Sequence, residues 1–323
     1  MSNNYYKKIA IIGAGSYGTA IAQCFSARSP EILLISDLKS LEESINFRNT
    51  SATALLNPNI SCSTDFSRAK DADIIFIAVP VSAVADVCHQ LREHHMKNPV
   101  VLCSKGLDIV STRLISDLVQ EIIPNDVAVF SGPSFAHEVI RGLPFGVNVA
   151  SEKSALAEDI AVRLHHDKFV LKPLRDHIGL QIAGAFKNIL AVGCGIFGGL
   201  KLGNNAAAQL MVNGLGEMIA LTQAMGGQKD TFWELGGVGD IILTCTSRQS
   251  RNVSFGEHLA IGGTIDNWNG SLAEGAFSAK AIPAFEKKFQ VDLRIFHWIH
   301  EVIYKEERPS SSVVPKLFAP LEN

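Results

Sequence analysis

Three glycines near the start of the chain, Gly13, Gly15 and Gly18, have the spacing Gly-x-Gly-x-x-Gly. An isoleucine-rich run typical of a buried strand precedes them, and a helix-like pattern follows over residues 19–23. In that context the first glycine makes a tight turn, the second lets backbone approach a pyrophosphate, and the third lets the helix pack closely. The free N–H groups at the helix N-terminus suit phosphates. The pattern predicts a dinucleotide site, and the alternative is a purely structural strand–turn–helix.

An acidic residue, Asp37, follows a second apolar run at residues 32–35. It lies at about the 20-residue interval at which such sites place a ribose-binding carboxylate. A carboxylate there accepts hydrogen bonds from both ribose hydroxyls and repels a 2′-phosphate, which favours NAD over NADP. The alternative is a helix-capping aspartate.

One lysine, Lys187, lies in an otherwise apolar helical stretch, residues 184–190. Burial disfavours the charged form of an amine, so the pKa of Lys187 should fall towards the range useful for acid–base catalysis. Asp240 ends a glycine-rich run, residues 236–239, and could pair with Lys187 or hold a substrate hydroxyl. The structural alternatives are a lysine that snorkels from the rim of an apolar face and an aspartate that caps a turn.

Three further stretches could bind an anionic substrate. Lys105 follows the apolar run 99–104, and in an open α/β sheet the carboxyl end of a strand faces the ligand crevice. The small residues and N–H groups of 131–134 follow the next apolar run. Arg251, between Ser250 and Asn252 at the start of a helical pattern, is either an anion clamp or part of a solvated helix cap.

Short apolar runs alternate with helix-length segments as far as residue 175, which predicts a doubly wound parallel sheet. The expected strands are residues 7–12, 31–36, 73–80, 99–104, 126–130, 145–150 and 169–172. The segment 47–63 is polar and predicts a loop with short helical pieces. From about Asp176 the apolar residues adopt helical spacing, with helices expected at 206–226, 251–260, 278–288 and 295–304. We therefore expect a dinucleotide-binding domain over 1–175 and a helical substrate and catalytic domain over 176–323.

Composition narrows the class of protein. The chain has 323 residues, 47% hydrophobic, with a formal net charge of −3, which argues against a general nucleic-acid or membrane-surface binder. Six scattered cysteines predict buried thiols in a reducing compartment, and no metal-ligand spacing is evident. With no expected signal peptide and no apolar run of membrane-spanning length, we expect a cytoplasmic protein.

Taken together, several stretches resemble the bacterial-type NAD(P)-dependent glycerol-3-phosphate dehydrogenase family. The similar stretches occur in the family's order and span nearly the whole chain: I-G-A-G-S-Y-G-T-A from Ile12, S-K-G-L from Ser104, S-G-P-S-F-A-x-E from Ser131, G-A-F-K-N from Gly184, G-G-V-G-D-I-I-L-T-C-T from Gly236, Q-S-R-N from Gln249 and A-E-G from Ala273. The resemblance implies an α/β fold with an N-terminal Rossmann domain and a C-terminal all-helical domain of the 6-phosphogluconate-dehydrogenase type. It also implies a homodimer and reduction of dihydroxyacetone phosphate to sn-glycerol 3-phosphate for phospholipid synthesis.

Site residues follow from the same resemblance. Lys187 matches the family's catalytic lysine, which protonates the developing alkoxide, and Lys105 and Asp240 complete the catalytic set. Residues that match substrate contacts are Lys105, Gly132, Ser134, Lys187, Asp240, Ser250, Arg251 and Asn252. Residues assigned to the NAD(H) or NADP(H) cofactor are Gly13, Gly15, Ser16, Tyr17, Gly18, Asp37, Lys105, Ala136, Arg251, Ala273 and Glu274. No metal site is implied.

The chain departs from the family pattern in informative places. Asp37 stands where the family often has Arg or His, and this favours NAD(H). Ala207 and Asn213 replace arginines of the usual pattern. Two other functions stay open at this point: another β-hydroxyacid-type dehydrogenase, and a non-catalytic NAD-responsive regulatory protein. The Gln-Ser-Arg-Asn stretch argues against the first, and retention of both Lys105 and Lys187 argues against the second.

Overall fold

The structure, a computed structural model, describes residues 5–51, 54–270, 273–305 and 308–318. The chain divides into two compact units. The first consists of residues 1–105 and 115–177, and the second of residues 106–114 and 178–323. The division into a dinucleotide-binding part over 1–175 and a substrate part over 176–323 concerns what each part binds, and it stays a prediction.

The strands are β1 Lys8–Ile12, β2 Glu31–Ile35, β3 Ile60–Ser63, β4 Ile74–Ile77, β5 Val100–Leu102, β6 Leu107–Asp108, β7 Arg113–Leu114, β8 Val127–Ser131, β9 Phe145–Ala150 and β10 Phe169–Leu174. The helices are α1 Ser16–Phe25, α2 Lys39–Arg48, α3 Val84–Glu93, α4 Ile115–Ile122, α5 Ala136–Val139, α6 Ser154–Leu164, α7 His177–Gly199, α8 Asn204–Ala224, α9 Asp240–Thr246, α10 Arg251–Ala260, α11 Glu274–Ala279, α12 Ile282–Phe289, α13 Arg294–Tyr304 and α14 Val314–Leu317.

The first unit is built on an eight-stranded sheet with the order β10-β9-β8-β5-β4-β1-β2-β3. All neighbouring strands are parallel except β8 and β9, which pair antiparallel. Apolar clusters cover both faces of the sheet. The isoleucine-rich run in β1 is buried for this reason, since a central parallel strand has no solvent-facing side. The predicted Rossmann-type α/β fold is confirmed.

The second unit is helical around α7, which is buried from Gly179 to Phe197. This helix is long and apolar enough to cross a membrane, but its apolar window is entirely buried inside the structure, as in the core helix of a globular domain. Glycines let α10 approach α7 closely: a Cβ on Gly195 would lie 2.9 Å from the Cα of Gly256. Because α10 packs this closely on α7, side chains from the two helices can contact one another.

Three local expectations were wrong. The segment 47–63 is not all loop, because β3 pairs with β2 at the edge of the sheet, and its polar alternation suits an edge strand. The connection 132–144 holds only the four-residue helix α5, so β9 follows β8 antiparallel instead of by a helical crossover. The helix expected at 278–288 is two helices, α11 and α12.

All six cysteines are buried and free, as the sequence predicts: Cys24, Cys62, Cys88, Cys103, Cys194 and Cys245.

Candidate functional site

The three glycines of the first motif have distinct geometries. Gly13 has a φ of +106°, a conformation that L side chains rarely adopt, and a Cβ there would lie 2.7 Å from the Ala78 carbonyl oxygen. A Cβ on Gly18 would collide with the Gly13 carbonyl, so only glycine lets α1 lie this close to the turn. At Gly15, by contrast, a Cβ would meet nothing within 4 Å. The geometry agrees with the predicted tight turn at Gly13 and the predicted close packing at Gly18. It leaves open space beside Gly15.

Gly15 is also the N-cap of α1, and it supplies no side chain to the free N–H groups of the first turn. Ser16, the first residue of the helix, is exposed, and Tyr17 is half-buried. Exposed N–H groups at the positive end of a helix dipole attract anions. The residues therefore fit a dinucleotide pyrophosphate at this turn.

Asp37 lies just beyond the carboxyl end of β2, and it is exposed. The helix that follows, α2, has Leu38 as its N-cap and no side-chain cap bond. Within the described ranges, no hydrogen bond or ion pair of the Asp37 carboxylate is present. The structure therefore does not support the alternative of a helix-capping aspartate, and the carboxylate is available to a ligand.

A hydrogen-bonded group joins four predicted residues of the first unit. The ammonium of Lys105 donates to the Gly132 carbonyl at 2.9 Å, and the Ser134 hydroxyl donates to the same oxygen at 3.0 Å. The hydroxyls of Ser134 and Tyr17 lie 3.1 Å apart. Because β5 and β8 are neighbours, their carboxyl ends bring Lys105 to the loop after Ser131. Ala136, the first residue of α5, follows this loop and is half-buried.

A buried ion pair occupies the second unit. The Nζ of Lys187 on α7 lies 2.6 Å from Oδ1 of Asp240 on α9, and the residues are 5% and 1% exposed. Lys187 Nζ also donates to the Thr244 hydroxyl at 2.7 Å. Lys187 is therefore not a snorkelling side chain. Asp240 stabilises the ammonium form of Lys187, which burial by itself disfavours.

The glycine run before Asp240 lies in a kinked segment, Leu235–Gly239, that leads directly into α9. Gly237 departs from helical geometry, and a Cβ there would lie 2.5 Å from the Cα of Phe232. The kink places Asp240 in the first turn of α9, facing Lys187.

The start of α10 carries the predicted anion clamp. Ser250 is the N-cap, its hydroxyl accepting from the N–H of Val253, while Arg251 is exposed. In the part of the chain that the structure describes, the Arg251 guanidinium makes no hydrogen bond or ion pair. A capped helix start with an available guanidinium fits both the anion clamp and the solvated cap that the sequence left open.

Asn252 ties three helices together. Its amide group donates to the Asn188 side-chain oxygen at 3.1 Å, and its own oxygen accepts from the Gly275 N–H at 3.0 Å. Asn188 is the neighbour of Lys187 on α7, and Gly275 follows Ala273 and Glu274 at the start of α11. Asn252 therefore fixes the start of α11 relative to α7.

Sequence reasoning missed Thr244 and Asn188 as members of this group. Thr244 lies four residues after Asp240, one helical turn on, so the two side chains share a face of α9. Asn188 directly follows Lys187 in an otherwise apolar helix. For both residues, the sequence signal that could have identified them was a polar residue within a mostly apolar segment. Over the described ranges, no group of three or more His, Cys, Asp or Glu side chains is placed to hold a metal ion.

Comparison with known proteins identifies the family. Residues 8–157 match the model described as NAD-dependent glycerol-3-phosphate dehydrogenase N-terminus, and residues 176–314 match the corresponding C-terminus. The chain is 34% identical to a glycerol-3-phosphate dehydrogenase of Parvibaculum lavamentivorans and 35% identical to that of Caulobacter vibrioides, both named as acting with NAD(P)+. Each alignment covers 98% of this chain and 98% of the relative.

Solved structures of other proteins are similar to this chain as well. The glycerol-3-phosphate dehydrogenase of Coxiella burnetii matches with a TM-score of 0.89 at 31% identity, over 98% of this chain and 100% of that one. D-mandelate dehydrogenase, at 16% identity and a TM-score of 0.62 over 93% and 98% of the two chains, shares the fold alone.

Proposed function

Because this chain belongs to the NAD-dependent glycerol-3-phosphate dehydrogenase family, we propose that it reduces dihydroxyacetone phosphate to sn-glycerol 3-phosphate with NAD(P)H. The reaction consumes one ketone, one reduced cofactor and one proton, and yields the secondary alcohol and oxidised cofactor. The usual context of this product is phospholipid synthesis. The observation that carries the proposal is the buried Lys187–Asp240 pair.

Lys187 is the proposed proton donor. Bound nicotinamide would supply the hydride, and the carbonyl oxygen then becomes an alkoxide that needs a proton. A buried ammonium held by Asp240 at 2.6 Å and Thr244 at 2.7 Å has little freedom to move, so its N–H is directed in advance. In the oxidation direction the amine would take the proton back.

The remaining polar groups are proposed to bind the substrate. The Arg251 guanidinium and the N–H groups at the start of α10, where Ser250 and Asn252 flank it, suit the phosphate. Lys105, held by the Gly132 carbonyl beside Ser134, suits the carbonyl oxygen of the substrate. Asp240 would contact the substrate as well as orient Lys187.

For the cofactor, the open turn at Gly15 suits the pyrophosphate, and Asp37 suits an unphosphorylated ribose. Tyr17, Ala136, Ala273 and Glu274 complete the proposed contacts. An exposed carboxylate would repel the 2′-phosphate of NADP(H), so we propose that NAD(H) is the preferred cofactor.

The direct test is the initial rate of NADH and NADPH oxidation with dihydroxyacetone phosphate, together with the yield of sn-glycerol 3-phosphate. The Lys187→Ala variant should bind NADH normally but lose turnover by roughly a thousandfold or more. Lys287→Ala, at an exposed position of α12, is the control and should keep wild-type rates. Turnover with other hydroxyacid or ketoacid substrates only would favour a different dehydrogenase. Cofactor binding without any turnover would favour a regulatory protein.

Asp37 has its own test, the ratio of kcat/KM for NADH to kcat/KM for NADPH. Asp37→Ser should lower this ratio about tenfold or more by removing the charge that repels the 2′-phosphate. Asp167→Asn removes an exposed charge elsewhere in the first unit and should leave the ratio unchanged. A wild-type preference for NADPH would refute the proposed role of Asp37 without refuting the reaction.

We propose further that the enzyme is a cytoplasmic homodimer. Free, buried cysteines suit a reducing compartment. For the dimer, α8 leaves one face of small and apolar residues exposed, including Val212 at 67%. Light scattering should give twice the chain mass. Val212→Asp should shift the protein towards monomer, whereas Val162→Asp, on the exposed face of α6, should not.

A further inference from the structure

The hydroxyl of Tyr17 connects the glycine turn after β1 to the loop that carries Ser134. Tyr17 is the second residue of α1, and its ring packs against an apolar cluster of the first unit. Its hydroxyl oxygen lies 3.1 Å from that of Ser134, which bonds in turn to the Gly132 carbonyl at 3.0 Å. The Lys105 ammonium donates to the same carbonyl at 2.9 Å. These bonds form a continuous chain from the proposed cofactor turn to the proposed substrate lysine.

The direction of each bond in this chain follows from the protons available. A carbonyl oxygen only accepts, so Lys105 and Ser134 both donate to Gly132. A serine hydroxyl has a single proton, and the bond to Gly132 uses it. The contact between the two hydroxyls is therefore a bond that Tyr17 donates and Ser134 accepts. With its proton already used, the Ser134 oxygen can offer a ligand only a lone pair.

The Gly132 carbonyl holds a donor and an acceptor side by side. Gly132 is buried, and a Cβ there would lie 2.7 Å from the Cα of Val147 on β9, so its backbone has little room to move. Because Lys105 and Ser134 bind the same oxygen, their polar atoms lie within two hydrogen-bond lengths of each other. An ammonium, which only donates, therefore lies next to a hydroxyl oxygen that is left to accept.

We propose that Tyr17 is a positioning residue: by donating to Ser134, it makes the site selective for a ketone with a hydroxyl group on the adjacent carbon. The ketone oxygen accepts from Lys105, and the neighbouring hydroxyl donates to the Ser134 oxygen. Dihydroxyacetone phosphate has this arrangement. A 2-keto acid has a carboxylate at the same place, which would set two acceptors against each other. The inference rests on the proposed function, which assigns the substrate carbonyl to Lys105.

The test compares two phosphorylated ketones that differ only in this hydroxyl, dihydroxyacetone phosphate and acetol phosphate, with NADH and the full-length protein. We expect wild type to prefer dihydroxyacetone phosphate in kcat/KM by at least about a hundredfold, because acetol phosphate leaves the Ser134 oxygen without a donor. Tyr17→Phe should lower this preference at least about threefold, since a Ser134 hydroxyl held by one bond instead of two can turn and donate. The affinity for NADH, measured by fluorescence titration, should stay within about twofold, because the ring remains.

Three further variants separate the hydrogen bond from packing. Ser134→Ala should lower the preference at least about tenfold, whereas Ser134→Thr keeps the hydroxyl and should retain most of it. Tyr6→Phe is the matched control. The Tyr6 hydroxyl donates to Asp159 at 2.7 Å elsewhere in the first unit, so its loss should leave the preference as in wild type.

An unchanged preference in Tyr17→Phe would overturn the role of Tyr17, and so would a loss of NADH affinity of about tenfold or more, which would assign the hydroxyl to the cofactor. Equal turnover of the two ketones by wild type would overturn the selectivity while leaving the proposed reaction intact. If wild type turns over neither ketone, the proposed function fails. Calorimetric titration of each ketone into the protein with NAD+ then decides the inference: tighter binding of dihydroxyacetone phosphate supports it, and equal or absent binding refutes it.

Discussion

Lys187 Nζ and Asp240 Oδ1 lie 2.6 Å apart, and the two side chains are only 7% and 1% exposed. An ion pair removed from water to this degree carries a desolvation cost that its attraction offsets only with good geometry and further hydrogen bonds. Thr244 supplies one such bond to the ammonium. We therefore explain the pair by its effect on position: it fixes a charged nitrogen on a helix that is mostly apolar.

Asp240→Asn should be costly to both stability and turnover. The change leaves the Lys187 ammonium buried without a countercharge, which destabilises folded proteins by roughly 3–5 kcal/mol. The free energy of unfolding, measured with urea, checks this. Lys187→Met in the same background should recover most of the lost stability, because it removes the stranded charge, while turnover stays absent. No recovery in the double variant would mean that Asp240 stabilises the fold through other contacts.

Thr244→Val should lower kcat and leave the KM for dihydroxyacetone phosphate nearly unchanged. The variant removes a hydroxyl that orients Lys187 Nζ at 2.7 Å and keeps the side-chain volume. Loss of one hydrogen bond to a charged group, about 1.5–3 kcal/mol, corresponds to roughly a 10- to 100-fold lower rate. Thr244→Ser keeps the hydroxyl and should restore most of the rate. Equal losses in both variants would assign Thr244 a packing role instead.

Gly15→Ala and Gly18→Ala should separate cofactor binding from folding. A Cβ at Gly15 meets no atom of the protein within 4 Å, so the variant should fold with a stability change of about 1 kcal/mol or less while binding NADH at least about tenfold more weakly. At Gly18 the Cβ collides with the Gly13 carbonyl, so thermal stability should fall as well. Thermal unfolding and NADH fluorescence titration measure the two effects. Unchanged NADH affinity in Gly15→Ala would place the pyrophosphate elsewhere.

Glu217 on α8 should make stability depend on pH. Its carboxylate accepts from the N–H groups of Ile295, at 2.9 and 3.1 Å, and of Phe296 at the start of α13. Burial outweighs these bonds and raises its pKa from 4.5 to about 8. Between these values the folded state keeps a proton that the unfolded chain has released, so the free energy of unfolding contributed by this group falls as pH rises from 4.5 to 8.

Glu217→Gln removes this titration and should flatten the fall in unfolding free energy between pH 5 and pH 8. Asp266→Asn, at an exposed position in the same unit, should leave the slope as in wild type. Urea unfolding across this range gives the slopes. A variant with the wild-type slope would show that other groups dominate.

Much of the fold was predictable from local pattern. β1 and the glycine turn after it lie within residues 8–18. All the residues that this geometry requires are therefore close together in the sequence. Long helices such as α7 and α13 repeat their apolar positions over several turns. The edge strand β3 was missed because a short edge strand has no continuous apolar run, and the antiparallel turn of β9 was missed because a strand's direction is set by its partner.

The sequence by itself determined the family, the dinucleotide motif and the identity of Lys187 and Asp240 as candidates, since each depends on residue type and near-neighbour spacing. Only the tertiary structure decided that these two side chains, 53 residues apart, meet at 2.6 Å, and that Thr244 and Asn188 join the group. The physical reason is that such contacts depend on how α7, α9 and α10 pack. That packing depends on close contacts between helices, such as the contact of Gly195 on α7 with Gly256 on α10. The residue pattern within a single helix does not reveal such contacts.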